Sequence, residues 1–193
     1  MQSDGISPVY EVFYIESMLF NTRHAANSIM YLLKVIDELD GNEDSKRFEK
    51  LDEERILNHV QNILLQGAAL SRYFWPVRDA HKSRGESLRA SLAVSDESPL
   101  KNRDLRNAVE HFDERIDKYL ANGIVGYVLP RYVGSTLEKS GVPGHIFRAY
   151  YLDTGRFEVL GESFEMQGLA HEIMRIHELL VTFSQNGGRL SAP

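Results

Sequence analysis

Three polar residues in one predicted helix are of the types that metal-free phosphate chemistry requires. Arg106 and Asn107 are adjacent, and His111 follows four residues after Asn107. An imidazole transfers protons near neutral pH, and a guanidinium stabilises the negative charge that builds up on a phosphorane. Arg106 and His111 are therefore candidates for phosphodiester cleavage without a metal ion, with Asn107 beside them.

Apolar residues recur at helical spacing in this segment and define the side that faces the core. At about 100° per residue, these residues lie within roughly 40° of one line: Leu105, Val109, Phe112, Ile116 and Tyr119. His111, Asn107 and Arg103 project to the opposite side. Arg106 lies near the boundary. An ordinary solvated helix face also explains this pattern, because pairs four residues apart, such as Arg106 and Glu110, are common there.

Three further segments carry the same periodicity and predict the helices that must position the polar side of the motif helix. Residues 8–39, beginning at Ser7-Pro8, place on one side Ile15, Leu19, Ala26, Ile29, Leu33 and Ile36. The next helix ends at Pro76 and carries Ile56, Val60, Ile63, Gly67, Leu70 and Phe74. The last helix ends at Gly187-Gly188 and carries Leu169, Ile173, Ile176, Leu180 and Phe183. A polar loop is predicted over residues 37–55 and a short helix over 86–92.

The character of the chain changes after Asn122-Gly123. Residues 127–144 are rich in glycine and proline and predict irregular structure. Two aromatic and β-branched runs around Asp153-Thr154-Gly155 predict a β-hairpin. The sequence therefore predicts a single mainly α domain over residues 1–193. It is an up-and-down helical bundle with a small β-hairpin, within an insertion at 123–166, before the last helix.

Composition limits the functional classes. The 193 residues carry a formal net charge of −6 and no cysteine, which disfavours a broad nucleic-acid surface and excludes disulfide or thiolate sites. No apolar stretch approaches the roughly 18 residues of a membrane span, and no signal peptide is recognisable. We therefore expect a cytoplasmic protein with no membrane partner, in which any contact with phosphate is local.

Other groups of residues are candidate sites. Arg84 and Arg89 are candidates to line a phosphate cleft, although a solvated turn is the alternative. Trp75, with Tyr73 and Phe74, is a candidate to stack a base, although such a cluster is more often core packing at the end of a helix. The seven histidines lack metal-ligand spacing, since His171 and His177 are six residues apart; we expect no metal site and no cofactor.

The motif from Arg106 to His111 is similar to the signature of HEPN (higher eukaryote and prokaryote nucleotide-binding) domains. That signature is an arginine, a polar residue, a few variable residues and a histidine, and Asn107 fills the polar position. The stretch from Ser98 to Leu120 also resembles a bacterial subgroup of HEPN-like proteins, and residues 69–76 resemble its second helix. The resemblance covers roughly residues 10–122 and the last helix.

This resemblance implies an all-α bundle, often dimeric, in which two copies of the motif meet at the interface. It implies a metal-independent endoribonuclease, in many members a toxin or phage-defence effector. Arg106 would stabilise the scissile phosphate, His111 would act as acid or base, and Asn107 would orient either group. RNA contacts would then extend to Arg103, Arg84 and Arg89.

Two hypotheses from different classes remain open at this point. One is a homodimeric RNA-cleaving enzyme. The other is a catalytically silent HEPN-like bundle that serves as a dimerisation or partner-binding module, for example bound to an antitoxin or another defence protein. Convergence of Arg106 and His111 from two protomers on a cleft wide enough for a phosphate would distinguish them.

Overall fold

The computed structural model describes residues 6–40, 48, 51–102, 104, 112–138 and 141–190. These residues form a mainly helical structure with a small sheet before the last helix, as the sequence predicts. The α-helices among them are α1 (Glu11–Asp40), α2 (Glu53–Phe74), α3 (Lys82–Ser91), α4 (Phe112–Ala121) and α5 (Met166–Gln185). Single 3₁₀ turns are formed by Pro8–Tyr10, Asp79–His81 and Pro99–Lys101.

The long helix α1 is the centre of the bundle, and both α2 and α5 run antiparallel to it. The early part of α1 meets the end of α5, where the Glu11 carboxylate accepts from Arg189 Nε at 2.8 Å and from the Leu190 backbone N–H at 2.9 Å. Further along α1, Ser28 contacts His59 of α2. Leu169 of α5 lies against Gly67 of α2. None of the described helices combines the length and apolarity needed to cross a membrane.

The predicted apolar sides of α2 and α5 are confirmed, and all their members are buried. In α1 one assignment is wrong: Leu33 is 54% exposed, while Leu32, Val35 and Leu39 are buried. The buried side of α1 is wide because the helix packs against two partners, and over 30 residues its apolar stripe drifts around the axis. Ser7-Pro8 opens a 3₁₀ turn, and α1 begins at Glu11.

The ends of the helices follow local signals. Asp52 caps α2, its Oδ1 accepting from the Arg55 backbone N–H at 3.0 Å. The helix ends at Phe74, two residues before Pro76, as predicted. Gly187 and Gly188, both with positive φ, follow the end of α5. Of the predicted polar loop at 37–55, residues 41–47, 49 and 50 lie outside the described residues, whereas α1 continues to Asp40 and α2 begins at Glu53.

The insertion at 123–166 contains more strands than predicted. A two-stranded parallel sheet joins β1 (Tyr127–Leu129) to β3 (Gly144–Ile146). A four-stranded sheet has the order β2-β4-β5-β6, formed by Tyr132–Gly134, Arg148–Tyr151, Arg156–Val159 and Glu162–Glu165. The β4–β5 hairpin is confirmed, with Gly155 at φ 64°. The prediction of irregular structure over 127–144 is wrong, because β1 and β2 lie there.

The larger sheet packs against the helices of the bundle. Tyr150, Phe157 and Phe164 belong to the same buried cluster as the helices. At the edge of the sheet, Arg131 pairs with Glu53 and Glu54 of α2. The insertion is therefore part of the single hydrophobic core and not an appendage to it.

Two histidines lie at the helix contacts of the core. Nδ1 of His59 is 3.0 Å from Ser28 Oγ, and its ring stacks on Tyr31. Nδ1 of His177 is 2.9 Å from the buried hydroxyl of Thr22. Burial, followed by the neighbouring arginine charges, lowers the pKa of both imidazoles below the ordinary 6.5.

We expect the free energy of unfolding to decrease as the pH falls from 7.5 to 5.5. The unfolded chain takes up protons near pH 6.5, before the folded chain does, so the stability linked to these groups is present above that pH and is lost below it. Thermal melts at the two pH values measure the effect. His59→Gln and His177→Gln should each flatten the dependence, whereas the exposed His171→Gln should not. Identical pH slopes for all variants would contradict this assignment.

Candidate functional site

The predicted catalytic residues Arg106, Asn107 and His111, with Arg103, lie outside the described residues. The structure does describe the chain on both sides of them: Ser98–Asn102 and Asp104 before the motif, and α4 after it. Of the predicted site residues, Arg84 and Arg89 are therefore the two whose positions are described.

The pair Ser98-Pro99 predicts, from the sequence, the start of the helix that carries the motif, but the structure begins this flank differently. Ser98-Pro99 opens a single 3₁₀ turn, in which Ser98 Oγ accepts from the Leu100 backbone N–H. Asn102 then has an extended backbone, and its Oδ1 accepts from the Asp104 backbone N–H at 2.8 Å. This contact is typical of a helix N-cap, so Asn102, and not Ser98, occupies the capping position next to the motif.

A bidentate ion pair in α5 anchors this flank. Glu172 accepts from Arg175 Nε at 2.8 Å and Nη2 at 3.0 Å. The same guanidinium donates to the carbonyl oxygens of Leu92 and Ala93, and the Ser98 hydroxyl donates to Glu172 Oε1 at 3.0 Å. One pair of side chains thereby fixes both ends of the connector between α3 and the Pro99–Lys101 turn.

The charge state of Glu172 supports this anchoring role. Burial alone would raise the pKa of its carboxyl group, but hydrogen bonds and charge from Arg175, with the Ser98 hydroxyl, outweigh burial and lower that pKa. The carboxylate is ionised at neutral pH. Its contribution to stability is present above the ordinary carboxyl range and is lost as the pH falls through the lowered pKa.

Downstream of the motif, α4 packs on the insertion. The Phe112 ring meets Phe147 edge to face, with centroids 5.7 Å apart, and the Arg148 guanidinium lies 5.1 Å from the Phe112 centroid. Arg115 pairs with Glu162. On the sheltered side, as predicted, lie the half-buried Phe112, Ile116 and Tyr119. Truncation of Phe112 should therefore lower the free energy of unfolding by less than truncation of a fully buried residue.

Arg84 and Arg89 bind the end of α2. Arg84 Nη2 donates to the Arg72 carbonyl at 3.2 Å, and Arg89 Nη1 donates to the Phe74 carbonyl. Cationic donors on these last carbonyls complement the negative end of the helix dipole. Gly85 permits this approach, because a Cβ there would lie 2.6 Å from the Phe74 oxygen. Both arginines are thus structural contacts, and Arg89 also lines a cavity.

That cavity, which we call the Trp75 pocket, has a volume of about 470 Å³. It opens between the end of α2, α3 and the 3₁₀ turn that precedes the motif. Its lining residues are Ser71, Trp75, Pro76, Val77, Lys82, Glu86, Arg89 and Lys101. It combines an aromatic ring with three cationic side chains, whereas the whole chain is acidic.

A second cavity of similar volume has a different chemistry. It lies between α1, the β4–β5 hairpin and the start of α5, and its walls are mostly apolar, including Ile29 and Leu33. Asp153 also lines this cavity, and its carboxylate already accepts a hydrogen bond from the Thr136 backbone N–H at 3.0 Å. A carboxylate and aliphatic walls disfavour phosphate, so this cavity is not a candidate for the predicted chemistry.

Sequence reasoning missed the lysines of the Trp75 pocket. Lys82, Glu86 and Arg89 follow helical spacing on α3, a signal that was available in the sequence. Lys101 had no such signal, because it comes from a turn that only the tertiary fold brings to α3. Among the described residues, no group of three or more histidine, aspartate or glutamate side chains is placed to hold a metal ion.

Comparisons with known proteins do not assign the chain to a family. No family model matches it, and neither the curated proteins nor the solved structures give a significant match.

We expect Arg175→Lys to lower the free energy of unfolding by about 1–3 kcal/mol, because a lysine cannot hold the carboxylate and two carbonyls at once. Arg189→Lys is the matched control, since Arg189 also pairs with a carboxylate at 2.8 Å but is more exposed. Arg189→Lys should lower the free energy of unfolding by less than about 1 kcal/mol. Urea unfolding measures both. Equal losses would mean that the connector does not depend on the Arg175 fork.

Proposed function

We propose that the chain is a metal-independent endoribonuclease of the HEPN type, with Arg106, Asn107 and His111 as its catalytic residues. The observation that carries the proposal is the combination of Arg106 and His111, five residues apart in one predicted helix. The described continuation of that segment, α4, turns its apolar side toward the sheet, which supports the helical projection that puts His111 on the outer side. Lys101 of the Trp75 pocket lies two residues before Arg103 in the sequence, and the cationic side chains of this pocket supply local positive charge on an acidic chain.

The proposed reaction is an attack by the 2′-OH of the RNA on the adjacent phosphorus. The O2′–P bond forms, the P–O5′ bond breaks, and the 2′-OH proton is lost while the leaving oxygen gains one. His111 transfers one of these protons, and Arg106 stabilises the charge on the phosphorane. Asn107 orients the phosphate or the imidazole. The products are a 2′,3′-cyclic phosphate and a 5′-OH.

The proposed assembly is a two-fold homodimer with the motif helix near the axis. Two copies of Arg106 and His111 would then contribute to one cleft, and an isologous interface would bring the same face of both protomers together.

Cleavage assays with mixed RNAs in EDTA test the proposal. We expect cleavage that resists chelators, cyclic-phosphate ends and no action on DNA, which lacks the 2′-OH. His111→Ala should reduce the rate by about 10²–10⁴-fold, the usual range for a general acid or base. Arg106→Lys should lose about 10²-fold or more, since a point charge does not replace the planar fork. Asn107→Ala should be intermediate.

His171→Ala is the matched control, because that histidine is exposed on α5 and should leave cleavage unchanged. RNA that stays intact under all conditions, or equal rates for wild type, Arg106→Ala and His111→Ala, would refute the enzyme. Cleavage that requires Mg²⁺ would refute the metal-free chemistry alone.

A second candidate function is the catalytically silent partner-binding module. The observation that favours it is the outer side of α1, where Phe13 is 69% and Phe20 is 63% exposed; Val9, in the 3₁₀ turn just before α1, is 74% exposed. Phe13 and Phe20, seven residues apart, lie on one side of the helix. Exposed apolar side chains grouped in this way are typical of protein-binding surfaces. An antitoxin or another defence protein is the proposed partner in this case.

A further inference from the structure

We propose that the Trp75 pocket binds a nucleotide unit, with the base against the Trp75 ring and the phosphate among Lys82, Arg89 and Lys101. The pocket stands outside the Arg106–His111 motif and is built from described residues. A nucleotide unit is either free or part of an RNA strand, and both carry the same base and phosphate.

The volume and lining of the pocket fit this ligand. Its volume of about 470 Å³ lies within the usual range for small-molecule sites. The Trp75 ring is half-buried and is held in place, since its Nε1 donates to Asp96 Oδ1 at 3.3 Å. The Arg89 guanidinium lies 5.6 Å from the ring centroid. A fixed aromatic ring next to a cation is the arrangement that stacks bases and holds the adjoining phosphate.

The charges of the pocket are available to an anion. Lys101 pairs with Asp96 at 3.0 Å and Lys82 pairs with Asp79 at 2.6 Å, and all four side chains are exposed. Exposed pairs of this kind contribute little to stability, so a phosphate can compete for the lysines without loss of the fold. Arg89 is held by the Phe74 carbonyl and presents a preorganised cation. Among the described lining residues, Glu86 is the single carboxylate, and it opposes an anion.

The chain provides its own reporter for this site. Trp75 is the only tryptophan in the sequence, so its fluorescence reports on the pocket alone. Titration with AMP should quench or shift this fluorescence and saturate with half-saturation below about 1 mM. Adenosine and inorganic phosphate should each bind at least about tenfold more weakly, because each lacks half of the contacts.

Charge variants of opposite sign test the assignment. The double variant Lys82→Gln/Lys101→Gln should weaken AMP binding at least about tenfold. Glu86→Gln should strengthen it. Lys34→Gln is the matched control, since Lys34 is also an exposed lysine in an ion pair, with Glu38 of α1, and its loss should change nothing. No spectral response to AMP, unchanged affinity in the double variant, or equal binding of inorganic phosphate and AMP would overturn the proposal.

A short 2′-O-methyl RNA, which cannot be cleaved by 2′-OH attack, separates the two sources of the ligand. Tighter binding of this oligonucleotide than of AMP supports a strand, and tighter binding of AMP supports a free nucleotide. These measurements do not depend on cleavage. Saturable AMP binding without ribonuclease activity would support the nucleotide site in the Trp75 pocket and refute the proposed enzyme. Ribonuclease activity without any spectral response to AMP would support the enzyme and refute the nucleotide site.

Discussion

The bidentate pair between Glu172 and Arg175 is the interaction on which the placement of the candidate site depends. It lies in α5, yet it holds the connector that leads from α3 into the segment carrying Arg106 and His111. A connector without regular hydrogen bonding needs partners for its carbonyl groups, and one guanidinium supplies two of them. The last helix of the chain therefore sets where the motif segment begins.

A second constraint acts at the end of α2. Gly85 lets α3 approach the final carbonyls of α2, and Arg84 and Arg89 reach those carbonyls from the same short helix. Trp75, Arg89 and the two lysines line the space beside this contact, which is the Trp75 pocket. Helix capping and the candidate binding site are thus products of the same contact.

Much of the helical framework could be predicted from the sequence, because burial on one side imposes a period that local residues reveal. The apolar sides of α2 and α5 illustrate this. Leu33 was misplaced because α1 has two packing partners, a tertiary fact that periodicity does not contain. The strands β1 and β2 are three residues long and pair in parallel with strands about 17 residues further along, so no local alternation marks them. For the Trp75 pocket, the sequence identified Arg89 and Trp75 as candidates. The contribution of Lys101 could not be predicted, because only the fold brings it to α3.

The contact between the two ends of the bundle has a consequence for synthesis of the chain. Glu11 meets Arg189 and Leu190, so α1 completes its core contacts only after α5 has been synthesised. The pair α1–α2 is local and can form early, but the side of α1 that faces α5 stays uncovered while the intervening residues 41–165 are synthesised. Contacts of such large sequence separation slow folding and leave apolar surface open to self-association. The nascent protein is therefore most vulnerable to aggregation in the interval before α5 is available to cover α1.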